Sequence, residues 1–157
     1  MSILVNWPRN CSFYRSESGS DSRVDKLSRE KRSRLMSKIR SRDTKLELAV
    51  RRALWSNGFR YRTHYGYGKA DLVFPKAKMA IFVDSCFWHA CPRHREIPKT
   101  NVLFWRTKLE RNRERDRLVD QTLKKNGWQI VRIWEHELVE DFDRSIRRIV
   151  RLVSRAR

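Results

Sequence analysis

The chain has 157 residues and a mass of 19.0 kDa, one domain's worth of sequence. It carries 37 Lys and Arg against 18 Asp and Glu, a formal net charge of +19; that self-repulsion does nothing for folding and points to a polyanionic partner, a nucleic acid. A hydrophobic content of 39% with six Trp excludes global disorder, no run reaches the ~20 apolar residues of a membrane span, and residues 1–8 lack the basic-then-apolar order of a signal peptide, so a cytoplasmic protein is expected.

Residues 1–24 are rich in Ser and Asn, show no period, and read as a mobile tail ahead of a folded domain over 25–157. From Asp25 to Arg42 eight basic and two acidic residues surround a thin apolar stripe, Leu27, Met36 and Ile39. This segment (25–43) is a basic arm suited to lie on phosphates, or else a solvated helix. Thr44 and Glu47 have the capping-box spacing; Leu46, Val50, Ala53 and Leu54 form an apolar helical face, and Gly58 supplies the stop. Phe59 to His64 alternates with period two and predicts a strand. Asp71 to Phe74 predicts another, and the apolar run Met79 to Val83 a central strand buried on both faces. Thr100 is placed to cap a long basic helix reaching about Lys125, Trp128 to Trp134 reads as the last strand, and Asp141 as the cap of a final helix bearing Ile146, Ile149, Val150 and Val153. Trp128 and Trp134 are expected in the core. The order α-β-β-β-α-β-α implies an α/β fold, a mixed sheet with helices on both faces.

Four of the chain's Cys and His fall within nine residues: Cys86, His89, Cys91 and His94. Zinc prefers thiolate and imidazole in a tetrahedron, and Cys86-x4-Cys91-x2-His94 supplies three ligands from one loop. His136, just after the last strand, is the candidate for the fourth. Four protein ligands make such a site closed and therefore structural. His89 is left over, and its spacing fits a ligand, a core histidine or a general base equally well. Asp71 and Asp84 lie at strand ends that an antiparallel hairpin brings together. With Glu47 from the helix they form a candidate magnesium site, able to polarise a phosphate and activate water. Each also has a plain reading: Asp71 favours a turn, and Glu47 completes the capping box.

Five stretches together resemble the very short patch repair endonucleases, a branch of the restriction-enzyme-like nucleases. They are Met36 to Glu47, Gly68 to Phe74, Ile81 to His89, Phe104-Trp105 with Asn112 to Arg117, and Gly127 to His136. The resemblance covers roughly residues 25 to 150. It implies a restriction-endonuclease-like sheet core and a DNA endonuclease that nicks one strand beside a mismatched pair, thymine opposite guanine, left when 5-methylcytosine deaminates. The partner implied is mismatched double-stranded DNA, bound by a monomer in a prokaryotic cytoplasm, at the nucleoid. By the same resemblance the magnesium-binding aspartate falls on Asp71, the helix-borne glutamate on Glu47, the catalytic histidine on His89 and the backbone carbonyl ligand on Val83. The aromatic wedge falls on Phe87, Trp88 and Trp105, and structural zinc on Cys86, Cys91, His94 and His136.

The chain departs from the family pattern at several points. Asp84 stands where the better-known members have a His, as an accessory residue or a second metal-binding carboxylate. The zinc loop has a different spacing, and its late ligand is a His in place of a Cys. Ala70 replaces the usual Pro, and the Lys of the wider nuclease motif is missing, with Ser85 and Cys86 in that region. Two other readings stay open: a nuclease of related fold that cuts other mismatches or matched or modified DNA, and a zinc-stabilised DNA-binding module without catalysis.

Overall fold

In a computed structural model the described residues are 28–38, 42–64, 66–94 and 96–156. The tail expected over 1–24, the first residues of the arm, and the side chains of Leu27, Met36 and Ile39 lie outside that description. The elements run α1 Arg29–Ser37, α2 Lys45–Ser56, β1 Leu72–Phe74, β2 Met79–Asp84, α3 Val102–Lys125, β3 Gln129–Trp134, α4 Glu135–Glu140 and α5 Phe142–Arg155.

The sheet has the order β1-β2-β3. Antiparallel pairing sets Leu72 opposite Ile81, and parallel pairing sets Asp84 opposite Trp134. The central strand is β2, as its unbroken apolar run predicts. Parallel neighbours require a crossover, and here residues 85–128, a loop followed by α3, supply it. Period-two alternation divides the strands between two faces. Leu72, Phe74, Met79, Ile81, Val131 and Ile133 pack with Val50 and Leu54 of α2, Leu138 of α4, and Ile146, Ile149 and Val153 of α5. Val73, Ala80 and Phe82 turn the other way, onto Leu123 and Val119 of α3. Helices therefore cover both faces of a mixed sheet. Ile149 is wholly buried, so Ile149→Ala removes its contacts at a cost of about 2–5 kcal/mol.

Four expectations are corrected. Residues 59–64 make no full strand: Arg62 pairs with Val73 in an isolated bridge, and a left-handed His64 (φ 51°) turns the chain away. Phe59 is buried and Tyr61 packs beside it, which accounts for the alternation. Thr100 does not cap α3, because the residue before its first turn is Asn101, itself left-handed at φ 53°. The short α4 follows β3 directly, a helix that the expected order of elements lacks. Trp128 and Trp134 are half-buried: Trp128 packs against the α3-side core, whereas Trp134 joins neither core cluster. The caps at Thr44 and Asp141 do form: the Glu47 N–H donates to Thr44 Oγ1 at 3.3 Å and the Arg144 N–H to Asp141 Oδ1 at 2.9 Å.

A 3-10 turn at Tyr67–Lys69 leads into β1 and presses against α3. A Cβ at Gly68 (φ +77°) would sit 2.4 Å from Val119 Cγ1, so neither the backbone angle nor the space admits a side chain. This contact seats the chain just before Asp71 on the long helix.

Candidate active site and Cys/His metal centre

The polar residues gather where β2 and β3 end side by side. Asp71 precedes β1 and reaches across to β2, where its Oδ2 accepts the Val83 N–H at 2.8 Å. Burial, aided by the negative charge of Glu47 and Asp84, raises its carboxyl to about pH 6 against the pull of that hydrogen bond. Glu47 is buried at the start of α2. Its Oε2 accepts the Asp43 N–H at 2.9 Å and Arg51 Nη2 at 3.4 Å, while Oε1 accepts Thr44 Oγ1 at 2.9 Å. Arg51 also pairs with Asp43 and lies 3.3 Å from His64 Nε2. The capping box and the acidic site thus share one carboxylate.

Asp84 follows Ala80 and Phe82 on the face of β2 that meets α3. It is 3% exposed, and both of its oxygens accept Arg132 Nη1 at 2.8 Å. Burial raises its carboxyl, and the nearby positive charge of His89 and Arg132 offsets this only in part. His89 stands in the crossover loop, its Nδ1 2.6 Å from Asp116 Oδ2 and 3.7 Å from Asp84 Oδ1. An ionised carboxylate only accepts, so Nδ1 carries the proton and Nε2 is the free nitrogen of the neutral ring. Burial opposes charging of His89, but the Asp116 hydrogen bond and the two carboxylates outweigh it and raise its pKa. The same bond holds Asp116 below its ordinary value despite burial.

Cys86, Cys91, His94 and His136 place one donor atom each within 4.8 Å of one another. Cys86 Sγ is 3.2 Å and Cys91 Sγ 3.6 Å from His136 Nδ1, and Cys91 Sγ is 3.8 Å from His94 Nδ1. These are the four residues expected from the loop spacing and the end of the last strand. The parallel pairing explains the meeting: β2 and β3 finish at the same edge, so the residues following each converge. Burial lowers the His136 pKa, helped by His94 and Arg93, and a neutral imidazole is the form that ligates metal. Glu135 fastens the loop, its Oε2 accepting Ser85 Oγ at 3.2 Å and the Cys86 N–H at 3.3 Å. A set of two thiols and two imidazoles at this spacing fits a divalent metal of zinc type.

Phe87, Trp88 and Trp105 form one aromatic group, with ring centroids 5.0 Å (Phe87–Trp88), 5.4 Å (Phe87–Trp105) and 6.0 Å (Trp88–Trp105) apart. All three are half-buried. Asn112 Nδ2 donates to the Trp88 carbonyl at 3.0 Å and holds the loop on α3. Phe104, 60% exposed, leans on Trp105, and Leu103 beside it is 80% exposed. Sequence reasoning gave no role to Leu103, Phe104, Asp116, Asp120 or Arg132. The i, i+4, i+8 spacing of Asn112, Asp116 and Asp120 was the available signal: it puts all three on one face of α3.

A buried acid–histidine group beside clustered rings on a strongly basic chain has the chemistry a DNA-cleaving enzyme needs. Comparison with known proteins gives the class of the chain. Residues 24–95 match the family model described as DNA mismatch endonuclease Vsr. The type II nicking enzyme V.NaeI of Lentzea aerocolonigenes is 48% identical over 117 residues, 70% of this chain and 70% of its own. The type II nicking enzyme V.NmeDIP of Neisseria meningitidis serogroup C is 42% identical over 123 residues, 75% of this chain and 82% of its own. The DNA mismatch endonuclease Vsr of Escherichia coli K12 is 33% identical over 110 residues, 66% of this chain and 69% of its own. The chain belongs to the Vsr endonuclease family.

Proposed function

We propose that the protein is a magnesium-dependent endonuclease of restriction-enzyme-like fold that nicks one DNA strand beside a mismatched pair of the thymine–guanine type and so opens a short repair tract. The observation that carries this reading is that Asp71, its carboxyl on the Val83 N–H and within the field of Asp84, stands near the end of β2 whose Asp84 lies 3.7 Å from His89. Asp71 and the Val83 carbonyl suit a hard cation, because burial, and after it the charge of Glu47 and Asp84, penalises a bare carboxylate there. Magnesium held there would supply positive charge to the scissile phosphate. His89, oriented by Asp116, takes the proton of the attacking water at Nε2, and the products are a 3′-hydroxyl and a 5′-phosphate. Glu47, fixed by Thr44 and Arg51, supplies negative charge behind Asp71. Asp84 acts as an accessory residue, since Arg132 already takes both of its oxygens.

Phe87, Trp88 and Trp105 enter the base stack. Unstacking costs a few kcal/mol and less at a mismatch, so the wedge itself discriminates. The basic arm and α3 neutralise phosphates without reading sequence. Zinc on Cys86, Cys91, His94 and His136 ties the loop to α4, and the enzyme works as a monomer on DNA.

The test is incubation of matched and T·G-bearing duplexes with and without magnesium, each strand labelled separately. Cutting of one strand of the mismatched duplex only, and only with magnesium, is expected. Equal cutting of matched duplex would overturn the mismatch reading. It would favour the second reading, a nickase for matched or modified DNA, which the names of the type II nicking relatives support.

A further inference from the structure

Arg132 is a basic side chain on β3, set on the sheet face that meets α3, where apolar residues otherwise pack. It is held on three sides. Nη1 donates to both oxygens of Asp84 at 2.8 Å. Nη2 and Nε donate to Asp120 Oδ1 at 2.9 and 3.2 Å. The guanidinium lies over the Phe82 ring, 4.7 Å from its centroid. Asp116 Oδ1 stands 3.9 Å from Nη2, so one guanidinium faces three carboxylates.

His89 sits at the rim of the same group, with two carboxylates in reach of one nitrogen. Which of them holds the ring decides where Nε2 points. We propose that Arg132 is a positioning residue for the cleavage reaction: its guanidinium occupies both oxygens of Asp84 and so leaves the His89 imidazole to Asp116. The inference rests on the reading of His89 as the base.

Its physical basis is the cost of an unpaired buried charge. Asp84 has almost no access to water, and a carboxylate so placed must pair. With the guanidinium gone, the basic group left within 4 Å of Asp84 among the described residues is His89, 3.7 Å away. The ring then swings between Asp84 and Asp116, and a displacement of about 1 Å at a reacting group costs on the order of a hundredfold in rate. In this reading Arg132 acts only through the ring. Its planar fork meets Asp84 and Asp120 from one rigid group, which a lysine cannot do.

The experiment compares the full-length parent with Arg132→Met, which keeps the stem over Phe82, and with Arg132→Lys and His89→Gln. Three quantities are read: the single-turnover nicking rate on mismatched duplex with magnesium, duplex affinity, and the imidazole N–H signals of the 15N-labelled histidines, with the His89 signal assigned by its loss in His89→Gln. Arg132→Met is expected to slow the chemical step about tenfold to a hundredfold with affinity within about threefold of the parent. It should also shift or abolish the His89 Nδ1–H signal. Arg132→Lys should fall between the two. A parent-like rate, or a slowed rate with an unmoved His89 signal, overturns the proposal. Should Arg132→Met fail to fold, Arg132→Lys is judged by the same two readouts. Parent-rate nicking by His89→Gln would instead remove His89 from the mechanism, a result separate from any obtained with Arg132.

Discussion

Two polar groups stand side by side where β2 and β3 end, and they settle their charge in different ways. Around Asp84 the protein supplies its own cation: Arg132 and His89 answer Asp84, Asp116 and Asp120 within one group of hydrogen bonds and ion pairs. Around Cys86 the side chains are thiols and imidazoles, and their donor atoms converge within 4.8 Å in the manner of ligands around one ion. The first arrangement is proposed to orient a ring, and the second has the chemistry of a coordination set. Removing a member should therefore damage orientation in one and folding in the other.

The largest effect is expected in the Cys/His group. Cys86→Ala or His136→Ala should lower the melting temperature sharply or prevent folding, since metal-binding free energy is folding free energy at such a site. Elemental analysis of fresh parent protein should return one zinc per chain, and folded protein without zinc would remove the coordination reading.

Asp71→Asn probes the acidic side with two opposite outcomes. Nicking should fall by about a thousandfold or more, because the cation and the phosphate it holds are lost. Stability without magnesium should rise. The folded pKa of Asp71 is about 6 against a usual 3.8, so the folded state binds the extra proton between those values. Stability contributed by this group is present at low pH and is lost as pH climbs from about 4 to 6, a cost on the order of 3 kcal/mol at pH 7. The Asn side chain avoids it and still accepts the Val83 N–H. Thermal melts at pH 4 and pH 7 check the sign: the two proteins should differ at pH 7 and converge at pH 4.

A smaller effect is expected from the rings. Trp88→Ala or Trp105→Ala should reduce the ratio of mismatched to matched nicking rates about tenfold while matched-duplex binding changes little. An unchanged ratio in both would return these residues to a packing role. The smallest change is Thr44→Ala, which removes a cap at about 1 kcal/mol. Denaturant midpoints would register it, and an unaltered midpoint would show that Glu47 does not depend on that hydroxyl.

The two groups also differ in how far they could be read in advance. Cys86, Cys91, His94 and His136 were legible because their residue types are scarce in this chain and ligation is intrinsic to them. The partners of Asp84 and His89 were not. Asp116 and Arg132 fall within stretches that carry the family resemblance, and Asp116 shares a helix face with Asn112 and Asp120, but nothing local pairs either with His89 or Asp84; only the parallel register with α3 folded over it brings them together. The same division holds for the fold. Helix α2 and strand β2 follow from capping and an unbroken apolar run, whereas Phe59 to His64 showed strand periodicity without the ladder to use it. There Phe59 and Tyr61 face inward as a strand would, but the chain turns at His64 before pairing can spread. The short α4 was hidden because Glu135 and His136 continue β3 without a break, its first turn closed by Glu137 accepting the Trp134 N–H at 2.9 Å.

The crossover between β2 and β3 has a consequence for biosynthesis. Residues 85–128 carry His89, the rings, three of the Cys/His donors and Asp116, all inserted between two strands that pair with each other. A nascent chain that has already emerged past Asp116 still lacks the strand bearing Arg132 and the helix bearing His136. Non-local pairing of this kind forms late, because the loop must close before any contact rewards it. Chains ending before Gln129 are accordingly expected to show no nicking. A cutter of DNA built in this order stays harmless on the ribosome until its C-terminal segment arrives to close the sheet.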